Sequence, residues 1–249
     1  MCRASVIPER GALVSELIIG DRSILYLDRD NLDDSSKNVR GGIPLLFPVA
    51  GKLVNDRYLA TNSIMQQHGF GRRKPWAVAD FNEFEIRMTL RPDSETRAEF
   101  PFDFRAEQTV TVIQNGIHIS LLVANDGNNT ITVSPGWHPY FACKRSLKNG
   151  VRCDIETVAK DALGTANGFD FGRPAPQDGR VKTHVPGIGD IQLSFSPEMR
   201  HMQFWSLPEQ DFVCIEPYWG PPNAANTVAR CGILPGCCRS FWLRVQCAV

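Results

Sequence analysis

The sequence predicts an all-β protein, a large twisted antiparallel β-sandwich. Apolar residues recur at every second position in one segment after another, turn-forming residues separate those segments, and no long run carries helical spacing. The stretch 12–19 (ALVSELII) is the first strand candidate. Phe84, Ile86, Met88 and Leu90 then alternate with Glu85, Arg87 and Thr89, which puts opposite chemistry on the two faces of a half-buried strand. Val110 and Val112 repeat the pattern, as do Ile117, Ile119, Leu121 and Val123. Asn115-Gly116 between them is a two-strand hairpin signal, because both residue types tolerate positive φ. Further strands are expected at 131–133 (ITV), 191–195 (IQLSF), 212–215 (FVCI) and 241–247 (FWLRVQC). Residues 160–190 have little periodicity, and a functional loop and a loosely packed insertion are both open there. The 20 Gly and 17 Pro are scattered between apolar runs and not gathered in a linker, so one domain over 1–249 is expected.

Composition narrows the function. The chain has 249 residues, with 27 Lys+Arg balancing 27 Asp+Glu, which leaves no field of one sign to attract nucleic acid or an anionic membrane. At 43% hydrophobic and 22% charged it can build a substantial core. The richest apolar window, 41–51, is interrupted by Pro44 and Pro48 and is too short to span a bilayer. The N-terminal MCRASVIPER lacks the apolar core of a secretory signal, so a soluble, cytoplasmic protein is expected. The eight cysteines include no CxxC pair and read as reduced thiols.

Two segments can carry proton chemistry. In Ser134-Pro135-Gly136-Trp137-His138-Pro139-Tyr140-Phe141 two prolines stiffen the backbone around His138, whose unperturbed pKa of about 6.5 suits proton exchange at neutral pH. Trp137, Tyr140 and Phe141 offer flat surfaces for the apolar face of a sugar. A buried histidine satisfying an irregular turn is the other reading of this segment. The apolar strand 212–215 stops at Glu216-Pro217, and a carboxylate at the edge of an apolar region has a raised pKa and serves as a base near neutrality. Its alternative is a structural salt bridge.

Arg40-Gly41-Gly42 and Gln67-His68-Gly69-Phe70-Gly71-Arg72-Arg73-Lys74 supply polar groups beside glycines, where a ligand can approach the backbone and an arginine fork can hold hydroxyls, a carboxylate or a phosphate. His118 lies on the polar face of its strand, and His184 and His201 have no partner pattern. His68, His138 and Glu216 lack HxH or HExxH spacing, so no metal is expected.

Four blocks in this order, RGGIPLLFP (40–48), QHGFGRRKPW (67–76), GWHPYF (136–141) and CIEP (214–217), resemble the aldose 1-epimerase superfamily. The likeness is greatest to its glucose-6-phosphate 1-epimerase-like branch, which TLRPDSETRAEFPFDFRAEQTVTV (89–112) also resembles. The resemblance implies a galactose mutarotase-like β-sandwich that interconverts the α and β anomers of a hexose or hexose 6-phosphate without a cofactor. It implies His138 as general acid and Glu216 as general base, with Arg40, Gln67, His68 and Arg72 contacting the sugar. HGFGR stands where HGFAR is commoner, and QDGRV (177–181) matches the family's acidic-Asp-Arg loop poorly. A non-catalytic sugar-binding domain would use the same pocket. A glycoside hydrolase would need a second carboxylate beside Glu216.

Overall fold

A computed structural model describes residues 1–34, 37–155, 158, 163 and 168–247. Among these, antiparallel strands dominate. Helix is confined to short pieces such as Ser94–Glu99, which Asp93 caps by accepting from the Thr96 N–H while Thr96 Oγ1 accepts from the Asp93 N–H.

Two sheets form the body. An eight-stranded sheet runs in the order Arg152–Cys153, Arg180–Val185, Gly189–Phe195, Cys238–Cys247, Gly116–Asn125, Phe104–Ile113, Glu85–Leu90 and Ala77–Phe81. The other runs Phe169–Pro174, His201–Ser206, Phe212–Tyr218, Gly136–Trp137 and Leu45–Leu46, with Tyr140–Ala142 also pairing on Phe212–Tyr218. The hairpin read at Asn115-Gly116 joins Phe104–Ile113 to Gly116–Asn125, two of the three ten-residue strands at the centre of that sheet, and Asn115 takes φ 58° in the turn. Ile117, Ile119, Leu121 and Val123 are all buried on one face, as their alternation predicts.

The core lies between the sheets. Phe104, Ala106 and Val110 from one side meet Trp137, Val213 and Ile215 from the other in one apolar cluster. Buried polar groups there are paired: Gln108 donates to Ala12 O at 2.7 Å and accepts from Trp137 Nε1 at 3.3 Å. The smaller sheet therefore has a core face and an opposite face, and the opposite face carries the site.

Part of the unassigned stretch 160–190 forms strands, Phe169–Pro174 and Arg180–Val185; residues 160–162 and 164–167 lie outside those described. The expected strand 212–215 runs on to Tyr218, so Glu216 sits inside it and not at its end. No helix among the described residues is long and apolar enough to cross a membrane.

Candidate active site

The backbone through 136–140 is threaded between two others. Gly136 pairs with Tyr218 on one side and Leu46 on the other, while the His138 N–H donates to Pro44 O at 3.0 Å and the Tyr140 N–H to Gly42 O at 2.9 Å. Extended backbone sends alternate side chains to opposite faces. Trp137 and Phe141 consequently point into the core and are fully buried there, which corrects the expectation that they line a ligand surface. His138 and Tyr140 face the other way. Their rings stack at 4.5 Å and 8°, and Trp205 closes on the His138 edge at 5.6 Å.

The same alternation along Phe212–Tyr218 sends Val213 and Ile215 to the core and Glu216 and Tyr218 to the His138 side. The Glu216 carboxyl is 1% exposed. Its Oε2 accepts from Tyr218 Oη at 2.5 Å and lies 3.4 Å from His138 Nε2. Two groups far apart in the chain thus meet.

Burial disfavours charge on both. It raises Glu216 well above the ordinary carboxylate range, opposed by the Tyr218 hydrogen bond and Arg72. It lowers His138 to about 3, assisted by the Arg72 charge. An imidazole titrating near neutrality, as expected from the free side chain, is not what this pocket holds. Both shifts act toward the same state, a protonated carboxyl beside a neutral imidazole. That state has the same proton count as carboxylate plus imidazolium, and one proton transfer across the pair interconverts them.

His138 and Glu216 line a cavity of about 880 Å³, together with Arg40, Gln67, His68 and Arg72. His68 is held by a reciprocal pair: its N–H donates to Gly51 O at 2.9 Å, and the Gly51 N–H donates to His68 Nδ1 at 3.0 Å. With Nδ1 accepting, the proton of the neutral ring is on Nε2. Burial, with the Arg72 and His138 charges, keeps the His68 pKa well below its usual value, so Nε2–H is a fixed neutral donor. His68 itself has φ 69°, a left-handed conformation uncommon outside glycine.

The glycines of these loops serve packing and not ligand approach. A Cβ on Gly42 would lie 2.3 Å from Val14 O, and one on Gly69 would lie 2.4 Å from Phe47 O. Of the basic run 72–74 only Arg72 turns to the cavity. Arg73 pairs with Glu99 at 2.7 Å and Lys74 with Asp93 at 2.9 Å. Arg40 is exposed at the rim.

Asp170, Gln203, Trp205 and Tyr218 also line the cavity and escaped the sequence reading. Gln203 Nε2 donates to Asp170 Oδ1 at 2.6 Å, leaving its Oε1 to accept from His201 Nε2 at 3.0 Å. His201 therefore has a partner, as does His184, which meets Asp190 at 2.6 Å on the surface. The only local signal for Asp170 is the alternation Phe169-Asp170-Phe171.

A family model described as aldose 1-epimerase matches residues 3–166. The chain belongs to the aldose 1-epimerase family. The match includes Arg40, Gln67, His68, Arg72 and His138, while Glu216 lies beyond it. Among curated relatives, protein LacX of Lactococcus lactis subsp. lactis is 25% identical over 111 residues, 41% of this chain and only 37% of LacX. Solved structures match over nearly the whole chain. The Slr1438 protein of Synechocystis sp. PCC 6803 has a TM-score of 0.90 at 29% identity, covering 98% of this chain and 91% of that one. A galactose mutarotase-like protein from Lactobacillus casei ATCC 334 has a TM-score of 0.80 at 19% identity, covering 99% and 97%, a likeness of fold. This aldose 1-epimerase family member thus has the β-sandwich that its strand pattern predicts, in the galactose mutarotase-like form that the resemblance implies.

Proposed function

We propose that the protein is a mutarotase, accelerating the exchange of α and β anomers of an aldose or aldose 6-phosphate with His138 and Glu216 as the proton-transfer pair. The observation that carries this reading is their 3.4 Å approach on the wall of a polar cavity large enough for a hexose.

Ring opening requires that a base take the O1 proton while an acid protonates the ring oxygen. As the C1–O5 bond breaks, the O1 electron pair forms the aldehyde carbonyl. Rotation about C1–C2 presents the other carbonyl face, the O5 hydroxyl attacks it, and both protons return by the same routes. In this scheme Glu216 is the base at O1 and His138 the acid at O5. The reactive form is the carboxylate–imidazolium tautomer, in which the Tyr218 hydrogen bond and the Arg72 charge favour the ionised Glu216, while the adjacent carboxylate offsets the Arg72 charge that disfavours the imidazolium. Such positioned proton transfer contributes about 10²–10⁴-fold, enough for a reaction that already proceeds in water. His68 Nε2–H, Gln67 and Arg72 hold hydroxyls, Arg40 meets the rim end of the substrate, and Tyr140 and Trp205 supply apolar surface.

Polarimetry tests the reading. Freshly dissolved α-D-glucose or its 6-phosphate relaxes to anomeric equilibrium faster in proportion to added protein. Sugar binding with no acceleration would establish instead a non-catalytic carbohydrate-binding domain.

A further inference from the structure

Proton transfer to and from the sugar leaves one buried nucleophile beside the site unused. Cys214 precedes Glu216 by two residues on the same strand, so its thiol faces the same side, with Tyr140 opposite it in the neighbouring strand. It is fully buried and does not line the cavity. Ligand atoms of His138, Cys214 and Glu216 all lie within 4.8 Å of one another.

One imidazole nitrogen, one thiol and one carboxylate form a ligand set that suits zinc and other thiophilic divalent cations. Tetrahedral zinc, with bonds of about 2.0–2.3 Å, places neighbouring ligand atoms roughly 3.3–3.8 Å apart. The His138–Glu216 separation of 3.4 Å already falls in that range, and the remaining separations need shifts of about 1 Å. Because His138 and Glu216 border the cavity, a fourth position opens toward the place a sugar would occupy. The outer shell is thin: His138 Nδ1 is buried with no hydrogen-bond partner, whereas tightly held zinc histidines anchor that second nitrogen. These features fit reversible capture and not a resident structural metal.

We propose that His138, Cys214 and Glu216 form a site for zinc-like divalent cations whose occupancy blocks the sugar site. On binding, the metal accepts lone pairs from the imidazole nitrogen, a carboxylate oxygen and the cysteine sulfur, and the thiol proton and the Glu216 carboxyl proton both leave to solvent; no electron transfer is involved. Cation binding is independent of the catalytic reading, and only inhibition of anomer exchange rests on it.

The 249-residue chain carrying Cys237→Ser and Cys238→Ser, which removes the two exposed thiols, is titrated with Co²⁺. The expected result is one Co²⁺ per chain, with tetrahedral visible bands and a thiolate charge-transfer band that disappears in Cys214→Ala. In the same background Zn²⁺ inhibits anomer exchange competitively with sugar, and a chelator restores it. Half-inhibition of Cys214→Ala, relative to its own uninhibited rate, requires at least about 10–100-fold more Zn²⁺, since loss of even an outer-shell partner costs that much. Cys214→Ser serves if the alanine variant does not fold. Absence of the charge-transfer band, or an unchanged band in the Cys214 variants, overturns the site even if the protein proves to be a mutarotase. A Co²⁺ site with no anomer exchange overturns the catalytic reading and leaves the metal site standing.

Discussion

Tyr218 donates a 2.5 Å hydrogen bond to Glu216 from two residues along the same strand and on the same face. Together with Arg72 it counters the burial that drives the carboxyl toward its neutral form. Tyr218→Phe keeps the ring and deletes that donor. Hydrogen bonds to charged groups contribute about 1.5–3 kcal/mol, so kcat for anomer exchange is expected to fall about 10–100-fold with little change in KM. A fall in both parameters through misfolding, or no fall in kcat, would deny Tyr218 this positioning role.

Glu216→Gln is expected to stabilise the fold while abolishing activity. In the unfolded chain Glu216 ionises near its ordinary value, whereas burial keeps it protonated to higher pH in the fold. Across that window the native state binds more protons, so wild-type stability declines as pH rises from about 4.5 through the raised folded pKa. Glutamine carries no such penalty. Urea unfolding should show no advantage for the variant near pH 4 and about 0.5–2 kcal/mol above the window, a common size for relief of a functional strain. His138 acts in the opposite direction. Its pKa is lowered to about 3, so its neutral form costs stability as pH falls below about 6.5. Equal stability of wild type and Glu216→Gln at every pH would remove the buried-carboxyl account.

Arg40 and Arg72 line the cavity with Lys37 and Lys52, against Asp170 and Glu216. Glucose 6-phosphate is therefore expected to show a kcat/KM about tenfold or more above that of glucose, from charge-assisted contacts at the rim. Arg40→Ala should narrow the ratio, and added salt should do the same. Equal kcat/KM for the two sugars in wild type would remove a phosphate contact and leave the arginines to hydroxyls.

Much of this was legible in the sequence because it is written locally. Asn115 takes its positive φ alone, and the alternation around 117–123 declares a buried face without reference to any partner strand. The strand Arg180–Val185 buries Val181, Thr183 and Val185 in the same rhythm, but Arg180, Lys182, His184 and nearby glycines mask it. The six proposed site residues come to one cavity, yet their neighbours were not legible. Asp170, Gln203 and Trp205 reach it through cross-strand register, with Gln203 opposite Glu216 and Asp170 opposite Trp205. Register depends on pairing between remote segments. The same holds for Trp137: an aromatic beside a candidate histidine reads as ligand surface until strand geometry shows that adjacent residues face opposite ways.

The central claim is that His138 and Glu216 exchange protons with one sugar. Magnetisation-transfer NMR between the α and β C1 protons of saturating sugar measures this directly, with His138→Ala and Glu216→Gln compared with wild type at equal concentration and confirmed folding. Each single variant is expected to lose about 10²-fold or more of the enzyme-dependent exchange. The double variant should be little worse than either, because the two groups act as a unit. Wild-type exchange rates in both single variants would contradict the account.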